Sequence, residues 1–343
     1  MIAGKTNVHF MLADFAQTAN DVYGVTRNPW DPSLTPGGST GGGAAALAAG
    51  MTFLEYGSDL IGSIRIPAGF CGVYGLRPTS GIVPMAGFQP PGPDPDPSEM
   101  LYMSALGPLA RSPRDLRTAL AATAGPDEPA ARACSWRLPA PRRTRLSDFR
   151  IGVVLDDERV PVAAEVGSVL SDAVDALARA GANITEGWPA GIDPQRCYDS
   201  FGHHVRLFFA YQQPGEEPPS GRELIEQERY RMAVRAAWGR WFEEHDVFLC
   251  PTNFTTAFPH DTRPFPERTI ATGAGERRYD EQPFWTAHAS LPGLPALSAP
   301  AGRTAAGLPV GVQVIAPRYE DDTALTFAEL LAPVVGGYEP PPV

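Results

Sequence analysis

The stretch "PGGSTGGGAAALAAGMTFLEYGSDLIGS", Pro36–Ser63, decides how this chain reads. A glycine-rich loop leads into a run of alanines, the strongest helix formers, so a short helix is expected near Gly43–Ala49. The aromatic and apolar residues of Met51–Tyr56 favour a strand, and a second loop follows at Ser63. Helix and strand can fold back and bring Ser39 and Ser63, 24 residues apart, into one place. Glycine beside each serine lets backbone N–H groups come close to a substrate oxygen, as an oxyanion hole requires. The same glycines also suit a plain turn, or an anion at a helix N-terminus. Serine is a weak nucleophile unless a neighbour takes its proton, so Ser63 in "GSDLIGSIRIPAGFCG" (Gly57–Gly72) raises the question of its base.

Outward from this stretch, strands and helices alternate. Residues Pro84–Pro97 are rich in proline and acids and are expected as a surface loop. Ser112–Pro113 before "RDLRTALAATAG" starts a helix, with serine as cap and proline in the first turn. Pro126–Arg145 lacks periodicity and is expected as an irregular connection. "FRIGVVLDD" reads as a strand, and Val162, Val166, Val169, Leu170, Ala173, Val174 and Leu177 then fall on one helical face. "GANITEGWP" completes a βαβ unit. A charged helix is expected over Arg222–Glu244, with Leu224, Ile225, Met232, Val234 and Trp238 making only a patchy inward face. "DVFLCPT", "LPALSAP" and "LPVGVQVIAP" read as strands, and "EDDTALTFAELLAPV" as a last helix capped by Asp321 or Asp322. The alternation predicts an α/β protein. One domain over 1–343 is expected, with a loop core in 1–125, a peripheral part in 146–245 and core-completing strands in 246–343.

A net charge of −11 argues against a nucleic-acid partner or an anionic membrane surface. No apolar run approaches the ~18 residues that span a bilayer. The four cysteines lie far apart without a CxxC pair, so neither a metal site nor a disulfide framework is expected, and a cytoplasmic location is. Cys71 reads as a small core residue. "GGSTG" (Gly37–Gly41) matches G-x-S-x-G, but "NPWDPSLTP" before it is no core strand, against a nucleophile elbow. A serine esterase using Ser39 and His288 is the distant alternative. Adjacent His203 and His204 are not spaced as metal ligands on a helix face. Phe10, Met11 and Leu12 are candidates for an acyl pocket, and Trp285 and His288 for a place near the substrate channel.

"GKTN" (Gly4–Asn7), "PGGSTGGGAAALAAG" (Pro36–Gly50), "GSDLIGSIRIPAGFCGVYGLRPTSG" (Gly57–Gly81), "LGPLARSPRDL", "DVFLCPT" and "LPGLPALSAPAG…GLPVGVQVIAP" together resemble the amidase signature family. The resemblance implies a mixed twisted sheet covered by helices on both faces, and amide hydrolysis through a Ser–Ser–Lys triad without metal or cofactor. It implies Ser63 as the acylating nucleophile and Ser39 as the bridging serine, after a cis peptide at Gly38. Backbone N–H groups of Leu60, Ile61, Gly62 and Ser63 would form the oxyanion hole, with Gly38, Asp59 and Arg65 supporting the loop.

Two departures stand out. Leu60–Ile61 replaces the smaller residues common in the family, and a branched Ile61 narrows the loop's choices and crowds an acyl group. The 28 basic residues are 27 arginines and one lysine, Lys5, which matches the family's "GKTN" and not its base. Arginine stays protonated and cannot serve instead. The expectation is therefore an amidase impaired as this chain, N-terminally truncated, with a split enzyme and a non-catalytic binding or scaffold protein as alternatives. The expected partners are a small-molecule amide and either a homo-oligomer or a complementing N-terminal fragment. An exposed sheet edge would follow.

Overall fold

The computed structural model describes residues 3–88, 103–128, 130–210 and 219–342. Two short ribbons pair β1 (Ala19–Asn20) with β2 (Gly24–Val25), and β9 (Thr269–Thr272) with β10 (Gly275–Arg278). The remaining strands are β3 (Leu54–Asp59), β4 (Tyr74–Arg77), β5 (Ala105–Ala110), β6 (Arg150–Val153), β7 (Asn183–Glu186), β8 (Val247–Pro251), β11 (Ala296–Arg303) and β12 (Pro309–Ile315). They form one eight-stranded sheet in the order β3-β5-β4-β11-β12-β8-β6-β7. Pairing is antiparallel from β3 to β8 and parallel across β8, β6 and β7, so the sheet is mixed as expected. Strands from all three stretches of the chain lie in it.

The helices are α1 (Gly41–Ala48), α2 (Arg65–Cys71), α3 (Pro113–Thr123), α4 (Ala164–Arg179), α5 (Pro194–Ala210), α6 (Gly221–Trp241), α7 (Phe284–Ser290) and α8 (Asp321–Val335). Strand side chains alternate between faces, and the core divides accordingly. Val247 and Leu249 of β8, with Val310, Val312 and Val314 of β12, meet α3, α4 and α8 on one side. Phe248, Cys250 and Ile315 face the other, toward α2 and α5–α7. There β8, β11 and β12 turn small or polar residues to α2: a Cβ on Gly311 would lie 2.8 Å from Gly69 Cα. Glycine at both positions lets α2 rest against the sheet.

Local signals read from the sequence account for much of this. Ser112 caps α3 by accepting from the Asp115 N–H, with Pro113 in the first turn. Val166, Leu170, Ala173 and Leu177 are the buried face of α4, and β6–α4–β7 is a parallel βαβ unit. Several expectations change. The strand expected at Met51–Tyr56 begins at Leu54, with Met51 and Phe53 exposed at 78% and 82%. Leu224 and Ile225 of α6 face solvent, while Arg231, Val234, Ala237 and Trp238 face in. Glu320, not Asp321 or Asp322, stands at the start of α8. Asp321 turns inward instead and accepts from the Thr79 N–H (2.8 Å) and Oγ1 (2.7 Å). Residues 89–97 of the expected surface loop lie outside the described residues.

Candidate active site

Ser39 precedes α1 and Ser63 lies between β3 and α2. One bond joins their loops: the Thr40 N–H donates to the Ser63 carbonyl at 3.2 Å. The serine loop is clamped from behind by Ala16–Thr18. Thr18 Oγ1 donates to the Gly37 carbonyl (2.8 Å), and Thr35 Oγ1 to that of Ala16 (2.9 Å). A Cβ on Gly38 would stand 2.1 Å from the Gln17 carbonyl oxygen, so only glycine fits there. The Gly38–Ser39 peptide is cis. Ser39 and Ser63 are both buried, at 2% and 7% exposure. Neither hydroxyl hydrogen-bonds the other or a titratable group among the described residues.

The loop before Ser63 is built on a buried ion pair. Arg65 Nε donates to Asp59 Oδ2 (2.9 Å) and Nη2 to Oδ1 (2.8 Å), with both side chains fully buried. Asp59 also accepts the N–H groups of Gly62 (2.9 Å), Ile64 (3.2 Å) and Arg65 (3.3 Å). Burial alone would raise the Asp59 pKa. The Arg65 charge and hydrogen bonds, the Arg77 charge and the Ile64 N–H outweigh it and hold the carboxyl below its ordinary value. Arg77 Nε lies 3.8 Å from Asp59 Oδ1. Burial first, then the Arg65 charge, brings Arg77 down to about 9 against the pull of Asp59 and Asp321.

Residues more than 200 positions away complete this brace. Arg65 Nη1 donates to the Thr286 carbonyl (2.9 Å) and Gln313 Oε1 (2.5 Å), and Nη2 to Ser290 Oγ (2.8 Å). Gln313 Nε2 in turn donates to the Trp285 carbonyl (2.9 Å). Thr286 Oγ1 donates to the Ile61 carbonyl at 2.7 Å. Arg77 and Gln313 lie inside the quoted motifs "GLRPTSG" and "GVQVIAP" but were given no role, and Thr286 and Ser290 lie in no motif. The signal available for Arg77 and Gln313 was a polar residue inside an otherwise apolar strand.

One expected oxyanion donor is already engaged. The Gly62 N–H points to Asp59, whereas those of Leu60, Ile61 and Ser63 take no acceptor among the described residues. His288 also departs from expectation. It is buried against Trp188, with ring centroids 4.3 Å apart, and neither ring nitrogen has a partner among the described residues. Burial lowers its pKa to about 3, against the Asp157 charge. The Ser39–His288 pair of an esterase is therefore not formed. Trp285 is likewise core rather than channel.

A cleft of about 660 Å³ opens at the nucleophile loop, lined by Phe15, Ile61, Tyr198, Phe201, Val205 and Phe265 among others. Of the segment expected to line it, Phe10 is 70% exposed and the Met11 side chain lies outside the described residues. Ala13 and Phe15 line the cleft instead of Phe10 and Leu12. Cys71 is buried core, and burial pushes its thiol up. Lys5 is exposed. Among the described residues no group of three His, Cys, Asp or Glu could hold a metal, and no helix is long and apolar enough to cross a membrane.

The family model for Amidase matches residues 1–195 and 198–325. A glutamyl-tRNA(Gln) amidotransferase subunit of Thermus thermophilus is 33% identical over 387 residues, covering 97% of this chain and 76% of that protein. Its counterpart in Thermosynechococcus vestitus is 31% identical over 385 residues, covering 96% and 73%. The structure of 6-aminohexanoate cyclic dimer hydrolase superposes with a TM-score of 0.74 at 26% identity, over 97% of this chain and 74% of that one.

Proposed function

The chain belongs to the amidase signature family, and from that premise we propose that it hydrolyses a carbon–nitrogen amide bond through an acyl-enzyme on Ser63. Ser63 Oγ bonds to the amide carbon while its proton passes to Ser39 and on to a base. The N–H groups of Leu60, Ile61 and Ser63 receive the oxyanion, Gly62 being held by Asp59. Collapse breaks the C–N bond and the amine leaves with the proton. Water then cleaves the ester. Gly38, Asp59 and Arg65 position the loops.

The observation that carries this reading is the Thr40–Ser63 bond, which ties the two serine loops together over the braced Asp59–Arg65 pair. The base is a lysine from a polypeptide segment outside these 343 residues, since Lys5 is the sole lysine and stands exposed. Such a segment has a place to dock. β3 ends the sheet, and Met51, Phe53, Leu54 and Tyr56, on or just before that strand, are exposed apolar residues. Unpaired strand edges with apolar neighbours recruit further chain.

The test compares this chain alone with a version extended upstream along its reading frame. Aryl and acyl amide hydrolysis and fluorophosphonate labelling are the readouts. Turnover and labelling at Ser63 are expected only with the segment, and Ser63→Ala abolishes both. Turnover that survives Ser63→Ala refutes the assignment. The absence, among the described residues, of a titratable group hydrogen-bonded to Ser39 or Ser63 favours a second reading as a binding protein, which a folded chain inert in both forms supports.

A further inference from the structure

We propose that Ile61 is the specificity-determining residue of the 660 Å³ cleft, restricting it to acyl groups that are unbranched beside the carbonyl. This rests on the reading of Ser63 as nucleophile. Ile61 lines the cleft from within the nucleophile loop itself. It is two residues from Ser63, so its Cα lies within about 7 Å of the Ser63 Cα. On this proposal an acyl carbon bonded to Ser63 Oγ carries its α-substituents into the part of the cleft that Ile61 lines.

The backbone that carries the side chain is held at three points. Thr286 Oγ1 fixes the Ile61 carbonyl (2.7 Å), and Asp59 Oδ1 fixes the next N–H, that of Gly62 (2.9 Å). Gly62 itself has φ +117°, and the space a Cβ would fill is closed by Ile66 Cδ1 at 2.9 Å and Thr286 Cγ2 at 3.0 Å. The loop thus cannot flatten toward α7 to admit more bulk. Phe265, on its short helical turn, also lines the cleft, but of the residues lining it only Ile61 belongs to the loop that carries Ser63. A rigid wall is what turns one methyl group into discrimination. A pocket that yields accepts both ligands, whereas one that cannot relax rejects the larger.

The measurement is binding of two probes, propionanilide and pivalanilide, to the chain by isothermal titration calorimetry, with no turnover required. The wild-type chain is expected to bind propionanilide more tightly by about tenfold or more, the discrimination a hydrophobic pocket gives for small changes in bulk. Ile61→Ala should bring the two affinities within about threefold, and Ile61→Val, which removes one methyl group, should give an intermediate ratio. Phe265→Ala weakens both probes alike. Thermal melting shows which variants fold, and Ile61→Val carries the test should Ile61→Ala not. A ratio unchanged between wild type and the Ile61 variants overturns the proposal, as does failure of both probes to bind any form. Loss of hydrolysis in the lysine-completed enzyme would instead sink the proposed function and leave this ratio standing.

Discussion

Asp59→Asn asks whether the loop before Ser63 is held by a buried charge or by packing alone. The carboxylate is fully buried and accepts three backbone N–H groups as well as the Arg65 guanidinium. An amide cannot accept all of these, and it leaves Arg65 and Arg77 buried without their counter-charge. Removing one partner of a buried pair costs about 3–5 kcal/mol. The lost backbone bonds belong to the same network and are not added on top. At about 2.1 cal/mol/K per residue, unfolding 343 residues carries an entropy near 0.7 kcal/mol/K, so Tm should fall by about 4–7 °C.

Calorimetry on wild type, Asp59→Asn, Arg65→Met and the double variant closes a cycle, with a coupling above about 2 kcal/mol expected. The pH dependence supplies a second reading. The folded pKa of Asp59 lies below its unfolded value, so the group adds stability above that value and loses it as pH falls through the folded one. Asp59→Asn should therefore be flatter than wild type in acid. An Asp59→Asn protein melting within about 1 °C of wild type, or a coupling below about 0.5 kcal/mol, refutes the brace.

Asp321 has the opposite sign. Burial raises its folded pKa to about 6 from 3.8, against the Thr79 hydrogen bonds, so its stabilising contribution is complete below 3.8 and lost as pH rises through 6. That is about 3 kcal/mol by pH 7, and chemical denaturation should show Asp321→Asn gaining on wild type across this window. Gly38→Ala sets a Cβ 2.1 Å from backbone oxygen, so it should lose at least 1–3 kcal/mol, read by urea denaturation, together with Ser63 labelling in the completed enzyme. Phe53→Lys, at a residue 82% exposed beside the open edge strand, should reduce concentration-dependent light scattering with Tm unchanged. Scattering equal to wild type would remove this face as the adhesive one.

Much of the architecture was legible where local chemistry decides it. The α3 cap, the α4 face and the β6–α4–β7 unit each follow from residues within a few positions of one another. Short or weakly patterned elements were not. α7 reads as an apolar run around His288, and α5 mixes charged and aromatic residues, so neither announces a helix. Leu224 and Ile225 were expected inward because they are apolar, yet the burial of α6 begins at Arg231. Asp321 looked like a cap, but Thr79, 242 residues away, gives its carboxylate two donors.

By itself the sequence determined the α/β alternation, the family and the two serine loops, because glycine, alanine and proline act on the backbone where they stand. It also determined that a single lysine is present. Only the tertiary structure decided that Thr286, Ser290 and Gln313 hold Arg65, that Asp59 takes the Gly62 N–H, and that Ile61 faces the cleft. Those pairings join residues up to 248 positions apart. They exist because packing α2 and α7 over the same sheet face buries polar groups that must then find partners, and no local pattern encodes which partner that is.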